Sequence, residues 1–543
     1  MTGVDSQLGV PGLYTRSLVE LTAGFVAAVP ADVVVNDITL DSRAVVPGGL
    51  FLALQGRTSH GVKFAEQAVA RGARAVLYED SPDAVAPKLD PGVFVAAVPQ
   101  LSQRASLIAD RFFGAPSQTL TLAGITGTNG KTTCAWLLAQ ALQLCGRPAG
   151  YMGTLGFGLA PTSSDRAASE GTPSGEGLAH GSSGRPPAVT PTEHTTSDAV
   201  TVQRHLAALR NLGAECVSME VSSHAIDQDR VAGVRFNTAA FTNLTRDHLD
   251  YHGTMEAYGA TKARLFSWPS LLNRIINVDG PFGLQLASQL SSARLVITTQ
   301  KGVSAVSALP HAAVRQAEFV RAVRVTPDPA GLVIGVESSW GASELTVRLM
   351  GEFNVDNVLT VLAVLLAWNI PLAQAVGALE QCRAASGRME MLGGRGLTPL
   401  AIVDYAHTPD ALAKALKAAR LHCRGQLRVV FGCGGDRDSG KRPLMGRIAA
   451  ELADDIIVTD DNPRTEVPER IVADIVAGIA GGTPVVVEHD RALAIRLALQ
   501  RSVPDDVVLV AGKGHEDYQI YGTERRPFVD QAIVTAALEG RRN

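Results

Sequence analysis

The stretch Thr121–Thr133, TLAGITGTNGKTT, decides how the rest of the chain is read. A β-prone apolar run ends at Thr126, a glycine-rich turn follows, and a helical pattern begins after Lys131. A turn of this kind gathers backbone N–H groups and a helix N-terminus around one point, which suits an anionic phosphate. Its register is unusual. The common G-x-x-x-x-G-K-[ST] pattern needs a glycine five positions before the second glycine; here Ile125 stands there, and the available glycines are Gly124 and Gly127. The chemical groups are nonetheless present. The Gly127, Thr128, Asn129 and Gly130 turn can cradle phosphates, Lys131 adds a point charge for the outer ones, the Thr132 hydroxyl can ligate Mg²⁺, and Thr133 adds a second hydroxyl. A bare glycine turn opening a helix would not need this lysine and its two hydroxyls.

Composition narrows the class. The chain has 543 residues, 46% hydrophobic and 19% charged, with a net charge of −4. That balance fits a globular protein of several domains and argues against a general nucleic-acid or anionic-membrane binder. The six cysteines are scattered without a C-x-x-C pair, which points to reduced thiols and a cytoplasmic setting. The first residues lack a basic start followed by an apolar run, so no signal peptide is expected. Val358–Leu379, VLTVLAVLLAWNIPLAQAVGAL, imitates a membrane span, but Asn369 and Pro371 interrupt it; a buried helix, a turn and a second helix are expected instead.

Short apolar strands alternate with amphipathic helices along the chain, so an α/β protein with parallel sheets is expected. Three domains are read: 1–112, a small α/β unit with one helical run, FAEQAVARGA; 113–350, a central P-loop-type parallel-sheet domain; and 351–543, a Rossmann-type doubly wound domain. In the last, Thr408 and Pro409 suit the cap and first turn of a helix. The Gly/Ser/Pro-rich stretch from about 160 to 191 lacks apolar periodicity and reads as a surface insertion.

Two segments past strand ends are dense in possible metal ligands: MEVSSHA, with Glu220 and His224, and FTNLTRDHLDYHG, with Asp247, His248, Asp250 and His252. Open α/β sheets place ligands beyond the carboxyl ends of their strands. Taken singly, such residues are more often solvated loop positions.

GITGTNGKTT, MEVSSHA, FTNLTRDHLDYHG, YGATKARLF, VRLMGEFNVDNVLTVLAV, SGRMEML and IVDYAHTPDAL together resemble the Mur ligase family, which adds amino acids to the peptidoglycan precursor and shares its fold with folylpolyglutamate synthases. The resemblance runs over nearly the whole chain outside the insertion. It implies that Glu220 and His248 join Thr132 at Mg²⁺, that Lys262 is carbamylated to N6-carboxylysine, and that Asn357, Arg388, Asp404 and His407 approach ATP. It also implies a catalytic set of Lys131, Glu220, His248 and Lys262. Only a neutral amine attacks CO₂, so Lys262 would need a depressed pKa.

VTDDNPRTE resembles the signature of the family's diaminopimelate-adding branch. Asp461, Asn462, Pro463 and Arg464, with Arg437, Gly512 and Glu516, would then hold meso-diaminopimelate, the arginines gripping its distal carboxylate. ITLDSRAVVPGGLFLALQGRTSHG and HTTSDAV resemble that branch's UDP-MurNAc-dipeptide site: Leu40, Ser42, Arg57, Thr58, Ser59, His194, Thr195 and Thr196, completed by Ser222, Gln228 and Arg230. His60 stands where the family usually has Asp, and His194 where it usually has Asn. The implied activity is ATP-dependent ligation of meso-diaminopimelate to UDP-MurNAc-L-Ala-D-Glu through an acyl phosphate, by a cytoplasmic monomer acting on small molecules, with no nucleic-acid partner and no membrane insertion. The sequence also leaves open a lysine-adding relative, a folylpolyglutamate synthase-like ligase, a nucleotide-hydrolysing switch and a non-catalytic precursor-binding scaffold.

Overall fold

The computed structural model describes residues 14–26, 28–56, 59–82, 84–161, 189–190, 192, 195–290, 294–301, 317–328, 331–394, 396–480 and 482–541. Arg57, Thr58, His194 and nearly all of the 160–191 stretch lie outside the described residues. The chain forms two compact units. The first takes the described residues up to Thr298 together with Ala363–Ile370; the second takes Val320–Leu362 and Pro371 onward.

Besides the short antiparallel pair of Arg16–Ser17 with Val34–Val35, the described residues of the first unit form two larger sheets. The smaller is parallel, β1 Ile38–Thr39, β2 Leu50–Ala53, β3 Ala75–Asp80 and β4 Phe94–Pro99 in that spatial order. The single helical run expected here is one of several helices. Ala65–Ala70 is joined by Leu18–Thr22 and by the longer helix Leu101–Phe112, whose Leu101, Ala105, Ile108 and Phe112 are buried. That longer helix starts from a left-handed Gln100 without a side-chain cap, so it carries no start signal in the sequence.

The larger sheet of this unit contains β5 Thr121–Thr126, β6 Ala149–Gly153, β7 Gly156–Leu159, β8 Cys216–Glu220, β9 Thr238–Phe241, β10 Asn273–Asn277 and β11 Arg294–Thr299. They lie in the order β11-β10-β9-β5-β8-β6-β7, all parallel except the β6–β7 hairpin. The order matters for function. β5 has β8 on one side and β9 on the other, so the turns leaving three adjacent strands open side by side. Such a reversal of strand order is where open α/β sheets leave a crevice. Strands buried on both faces read as apolar runs, and Leu122, Ile125, Val217, Met219, Ala239 and Phe241 are all buried.

The second unit begins with an antiparallel meander, β12 Glu318–Asp328, β13 Gly331–Ser338 and β14 Gly341–Val347, which the strand-helix alternation did not announce. The false membrane span resolves as expected. Helix Phe353–Ala367 stops, Asn369 adopts φ 59°, and helix Leu372–Gln381 follows Pro371. Among the described residues no helix is long and apolar enough to cross a membrane.

A six-stranded sheet follows, with β15 Glu390–Gly393, β16 Leu400–Asp404, β17 Leu427–Phe431, β18 Asp455–Val458, β19 Val485–Val487 and β20 Val507–Ala511 in the order β15-β16-β20-β17-β18-β19. Only β15 is antiparallel. The last parallel strand is thus inserted between the first two, unlike the 3-2-1-4-5-6 order of dinucleotide-binding folds. Thr408 caps helix Pro409–Arg420, its Oγ1 accepting from the Ala411 N–H at 3.3 Å.

Arg491 ties this unit together at the end of β20. Its Nε and Nη2 donate to the two oxygens of Asp530, each at 2.8 Å, and Nη2 also donates to the Ala511 carbonyl at 3.0 Å; both side chains are 0% exposed. Removing one member of a buried pair leaves the other charge without compensation. Asp530→Ala is expected to cost about 3–5 kcal/mol, read as a lowered urea midpoint. The double variant Arg491→Met/Asp530→Leu should recover much of that loss, and an unchanged midpoint in the single variant would refute the assignment.

Candidate functional site

The turn after β5 is shaped by close backbone approach. Gly127 has φ 149°, and a Cβ there would lie 1.9 Å from Thr242 Oγ1, so only glycine fits. The turn is then stitched to the loop after β9. Thr128 N–H donates to the Asn243 carbonyl at 2.8 Å, Asn129 N–H to Asn243 Oδ1 at 2.9 Å, and Thr242 Oγ1 to the Asn129 carbonyl at 2.6 Å. Gly130, at φ 86°, leads into helix Lys131–Leu144. Lys131 Nζ donates to the Gly127 and Thr128 carbonyls at 2.9 and 2.8 Å.

The loop after β8 adds the carboxylate. Glu220 is 1% exposed, and its oxygens accept from Tyr151 OH at 2.7 Å, Thr154 N–H at 2.8 Å, Thr132 Oγ1 at 2.9 Å and Thr154 Oγ1 at 3.2 Å. This density of donors compensates a buried charge. A Cβ at Gly153 would fall 2.1 Å from Glu220 Oε1, so a glycine leaves the carboxylate its cradle. Glu220 and the Thr132 hydroxyl form the hard-oxygen set that Mg²⁺ prefers, and the residues present fit that ion.

His248 precedes the short helix Leu249–His252 as its N-cap. It has φ 53°, lies with Nε2 3.4 Å from Asp247 Oδ2, and packs its ring against His224 at 4.9 Å and Tyr258 at 6.1 Å. Among the described residues no group of three or more His, Cys, Asp or Glu gathers into a metal site. Thr132 and Glu220 meet directly, and His248 stands in a ring group with His224, Tyr251 and His252.

Lys262, on helix Met255–Ala263, is 1% exposed. Its Nζ donates to the Gly127 carbonyl at 2.9 Å and sits 4.5 Å from the Tyr258 ring centroid. Lys131 and Lys262 thus converge on a single carbonyl oxygen. Burial first, then the Lys131 charge, hold the Lys262 amine well below the usual lysine range, with Asp247 opposing.

The expected sugar-peptide residues adjoin this centre. Thr196 Oγ1 donates to the Glu220 carbonyl at 2.9 Å and accepts from the Ser222 N–H at 3.1 Å. Arg230 donates to the Thr196 carbonyl at 2.8 Å and to Gln228 Oε1 at 2.6 Å; Thr195 Oγ1 lies 3.1 Å from Thr154 Oγ1. In the small sheet Ser42 Oγ donates to Gln67 Oε1 at 2.7 Å, Leu40 is half-buried, and the Ser59 carbonyl accepts from Gly56 N–H at 3.1 Å. His60 has a local task. Its Nδ1 accepts from Val62 N–H at 3.0 Å and its Nε2 donates to the Glu79 carbonyl at 2.9 Å, capping the turn Gly61–Phe64 as an aspartate would.

In the second unit Asp404 ends β16 and accepts from Met389 N–H at 2.8 Å; burial raises its pKa while Arg388 opposes. The Arg388 guanidinium lies 4.9 Å from the Tyr405 ring centroid, and Asn357 Nδ2 donates to Asn354 Oδ1 at 2.7 Å. His407 Nδ1 lies 2.8 Å from the Tyr405 carbonyl, and burial lowers its pKa. Gly387, beside Arg388, crosses Gly514 so closely that a Cβ on it would lie 2.1 Å from the Gly514 carbonyl carbon.

Asp461, Asn462 and Pro463 are buried beyond β18, and Arg464, at φ 53°, donates from Nη1 to the Gly435 carbonyl at 2.9 Å. Arg437 is exposed on the facing loop. Asn462 Nδ2 donates to Glu516 Oε2 at 2.9 Å, and a Cβ at Gly512 would lie 2.5 Å from Asp461 Oδ2. Of the expected acceptor residues, Asn462 and Glu516 are bonded to each other, Asp461 lies against Gly512, and Arg464 holds the neighbouring Gly435. Sequence reading missed Tyr151, Thr154, Tyr258 and Lys513. Only Thr154, just past a strand end, had a positional signal.

Residues 34–110 match the Mur ligase family catalytic domain, 125–365 the Mur ligase middle domain, and 387–514 the Mur ligase glutamate ligase domain. The chain is 45% identical over 515 residues to a UDP-N-acetylmuramoyl-L-alanyl-D-glutamate--2,6-diaminopimelate ligase of Ectopseudomonas mendocina, covering 94% of this chain and 96% of that one. It is 45% identical over 513 residues to the protein of the same name from Pseudomonas aeruginosa, at 93% and 96% coverage. A solved structure of a ligase with that name superposes with TM-score 0.67 and 32% identity, over 97% of this chain and 100% of that one. With these relatives and this three-domain α/β architecture, the chain belongs to the Mur ligase family.

Proposed function

We propose that the protein joins an amine of meso-diaminopimelate to the D-Glu γ-carboxyl of UDP-MurNAc-L-Ala-D-Glu, converting ATP to ADP and phosphate, as a cytoplasmic monomer in peptidoglycan precursor synthesis. Membership of the family brings ATP-dependent amide-bond formation. The observation that supports the choice of acceptor lies in the second unit: one turn carries Asp461, against Gly512, Asn462, bonded to Glu516, and Arg464, whose guanidinium holds the Gly435 carbonyl. A far end bearing both an ammonium and a carboxylate matches this pairing of charges; an ammonium alone does not use the arginine.

A carboxylate resists attack by an amine because attack adds charge to an anion and expels oxide. Transfer of the terminal phosphoryl group of ATP to the γ-carboxylate gives an acyl phosphate and ADP. The amine then adds to the acyl carbon, and the tetrahedral adduct expels phosphate as the amide forms. The turn amides from Gly130 to Thr133, at the start of the helix, and the Lys131 ammonium would stabilise charge spread over the phosphoryl oxygens. Arg388, Asp404, Asn357 and His407 would hold the nucleotide, and Leu40, Ser42, Arg57–Ser59, His194–Thr196, Ser222, Gln228 and Arg230 the UDP-precursor. Thr132, Glu220 and His248 are the residues proposed to hold Mg²⁺, which when bound neutralises phosphate charge. Lys262, whose amine burial holds well below the usual lysine range, is the proposed site of carbamylation.

Phosphate release from ATP tests the reaction directly. It should require both the UDP-precursor and diaminopimelate, with lysine a poor substitute; equal ATP cleavage without the two acceptors would overturn the proposal. Lys131→Ala should lower turnover at least about a hundredfold while calorimetry finds the UDP-precursor still bound, and retained turnover would remove Lys131 from the chemistry. For Lys262, a depressed pKa keeps the amine neutral to lower pH than an exposed lysine. Protein equilibrated with ¹³CO₂ at mildly alkaline pH should show a carbamate carbon signal by NMR that fades on acidification and is missing in Lys262→Ala. An identical signal in that variant would exclude the site.

A further inference from the structure

Lys513 follows Gly512 at the end of β20 and is 0% exposed, which is rare for a lysine without a dedicated task. Its Nζ donates to Asn462 Oδ1 at 3.1 Å and to Glu516 Oε2 at 3.0 Å, and lies 5.3 Å from the Tyr518 ring centroid. Asn462 closes the triangle, donating from Nδ2 to the same Glu516 oxygen at 2.9 Å, while its Oδ1 also accepts from Ile520 N–H at 3.0 Å. One ammonium thereby fixes the amide orientation of Asn462 and the rotamer of Glu516, on two loops that leave different strands. Both contacts to the glutamate fall on Oε2, so Oε1 is not used in this triangle.

The charge count gives Lys513 a second consequence. Asp461 and Glu516 bring two carboxylates to this corner, and Asp461 is itself buried. Arg491 also faces these carboxylates but is already paired with Asp530, so without Lys513 the corner would be more anionic and would favour an acceptor end carrying only positive charge. With Lys513 in place, attraction for a lone ammonium is reduced and the corner tolerates a neighbouring carboxylate directed at Arg464.

We infer that Lys513 is a positioning residue of the acceptor site: it locks Asn462 and Glu516 into one arrangement and balances their charge so that a zwitterionic acceptor end is selected over a purely cationic one. This rests on the acceptor reading proposed above. Steady-state kinetics of the full-length Lys513→Met enzyme test it, with methionine keeping the length of the side chain without its charge. The expected result is a KM for diaminopimelate raised about tenfold or more, kcat and the KM values for ATP and UDP-precursor little changed, and a lower preference for diaminopimelate over lysine. Lys513→Gln keeps a hydrogen-bond donor but no charge. It should lose the preference while raising the diaminopimelate KM less, and it carries the test if the methionine variant does not fold. Equal increases in all three KM values would overturn the inference in favour of a purely structural lysine. Arg464→Ala is measured alongside. If it weakens diaminopimelate and Lys513→Met does not, the positioning role is lost while the acceptor reading stands. If neither weakens it, the acceptor reading falls and the role of Lys513 with it.

Discussion

A carboxylate buried to 1% exposure would ordinarily be neutralised or expelled, and Glu220 is retained because its donors come from three places at once. Tyr151 and Thr154 come from β6 and the turn beyond it, and Thr132 from the first turn of the helix after β5. Those donors coincide only if β8 lies between β5 and β6, which is the observed strand order. The carboxylate and the topology of the larger sheet in the first unit are therefore a single constraint. The missing side chains at Gly153 and Gly127 belong to it too, since each would fill space that the carboxylate or the neighbouring loop occupies.

The second unit solves a related problem with cations. Its strands also end in acidic turns, at Asp404 and at Asp460–Asp461, and buried basic groups stand behind them. Arg491 is paired with Asp530 and holds the Ala511 carbonyl, while Lys513 joins Asn462 to Glu516. Both units use irregular turns on rigid parallel strands, so the groups that bind are mobile in sequence but fixed in place by the sheet.

Much of this was legible in the chain because the chemistry is local there. The glycines, lysine and hydroxyls of the phosphate turn lie within a few residues, and the strand before them is apolar on both faces. The D-N-P-R turn and Thr408–Pro409 carried their own signals. What was not legible depends on distant pairings or on backbone states without a marker. Tyr151 becomes relevant only because β6 sits beside β8. Helix Leu101–Phe112 starts from a left-handed glutamine, and Lys513 looks like a solvated lysine until Asn462 arrives from another strand. The antiparallel meander was missed because its strands pair as successive hairpins instead of alternating with helices. His60 shows the opposite case, where a departure from the family pattern still caps the turn that follows it.

Gly387 and Gly514 meet backbone to backbone, and neither has room for a side chain. One belongs to the segment of Arg388, the other to the loop that carries Lys513 and Glu516. The two segments share a wall with no padding, so a change in the backbone of one presses directly on the other. Anyone grafting the 512–516 loop of a relative into this chain to change its amino-acid preference will have to transplant the 387 segment as well, or the chimera will begin with a collision.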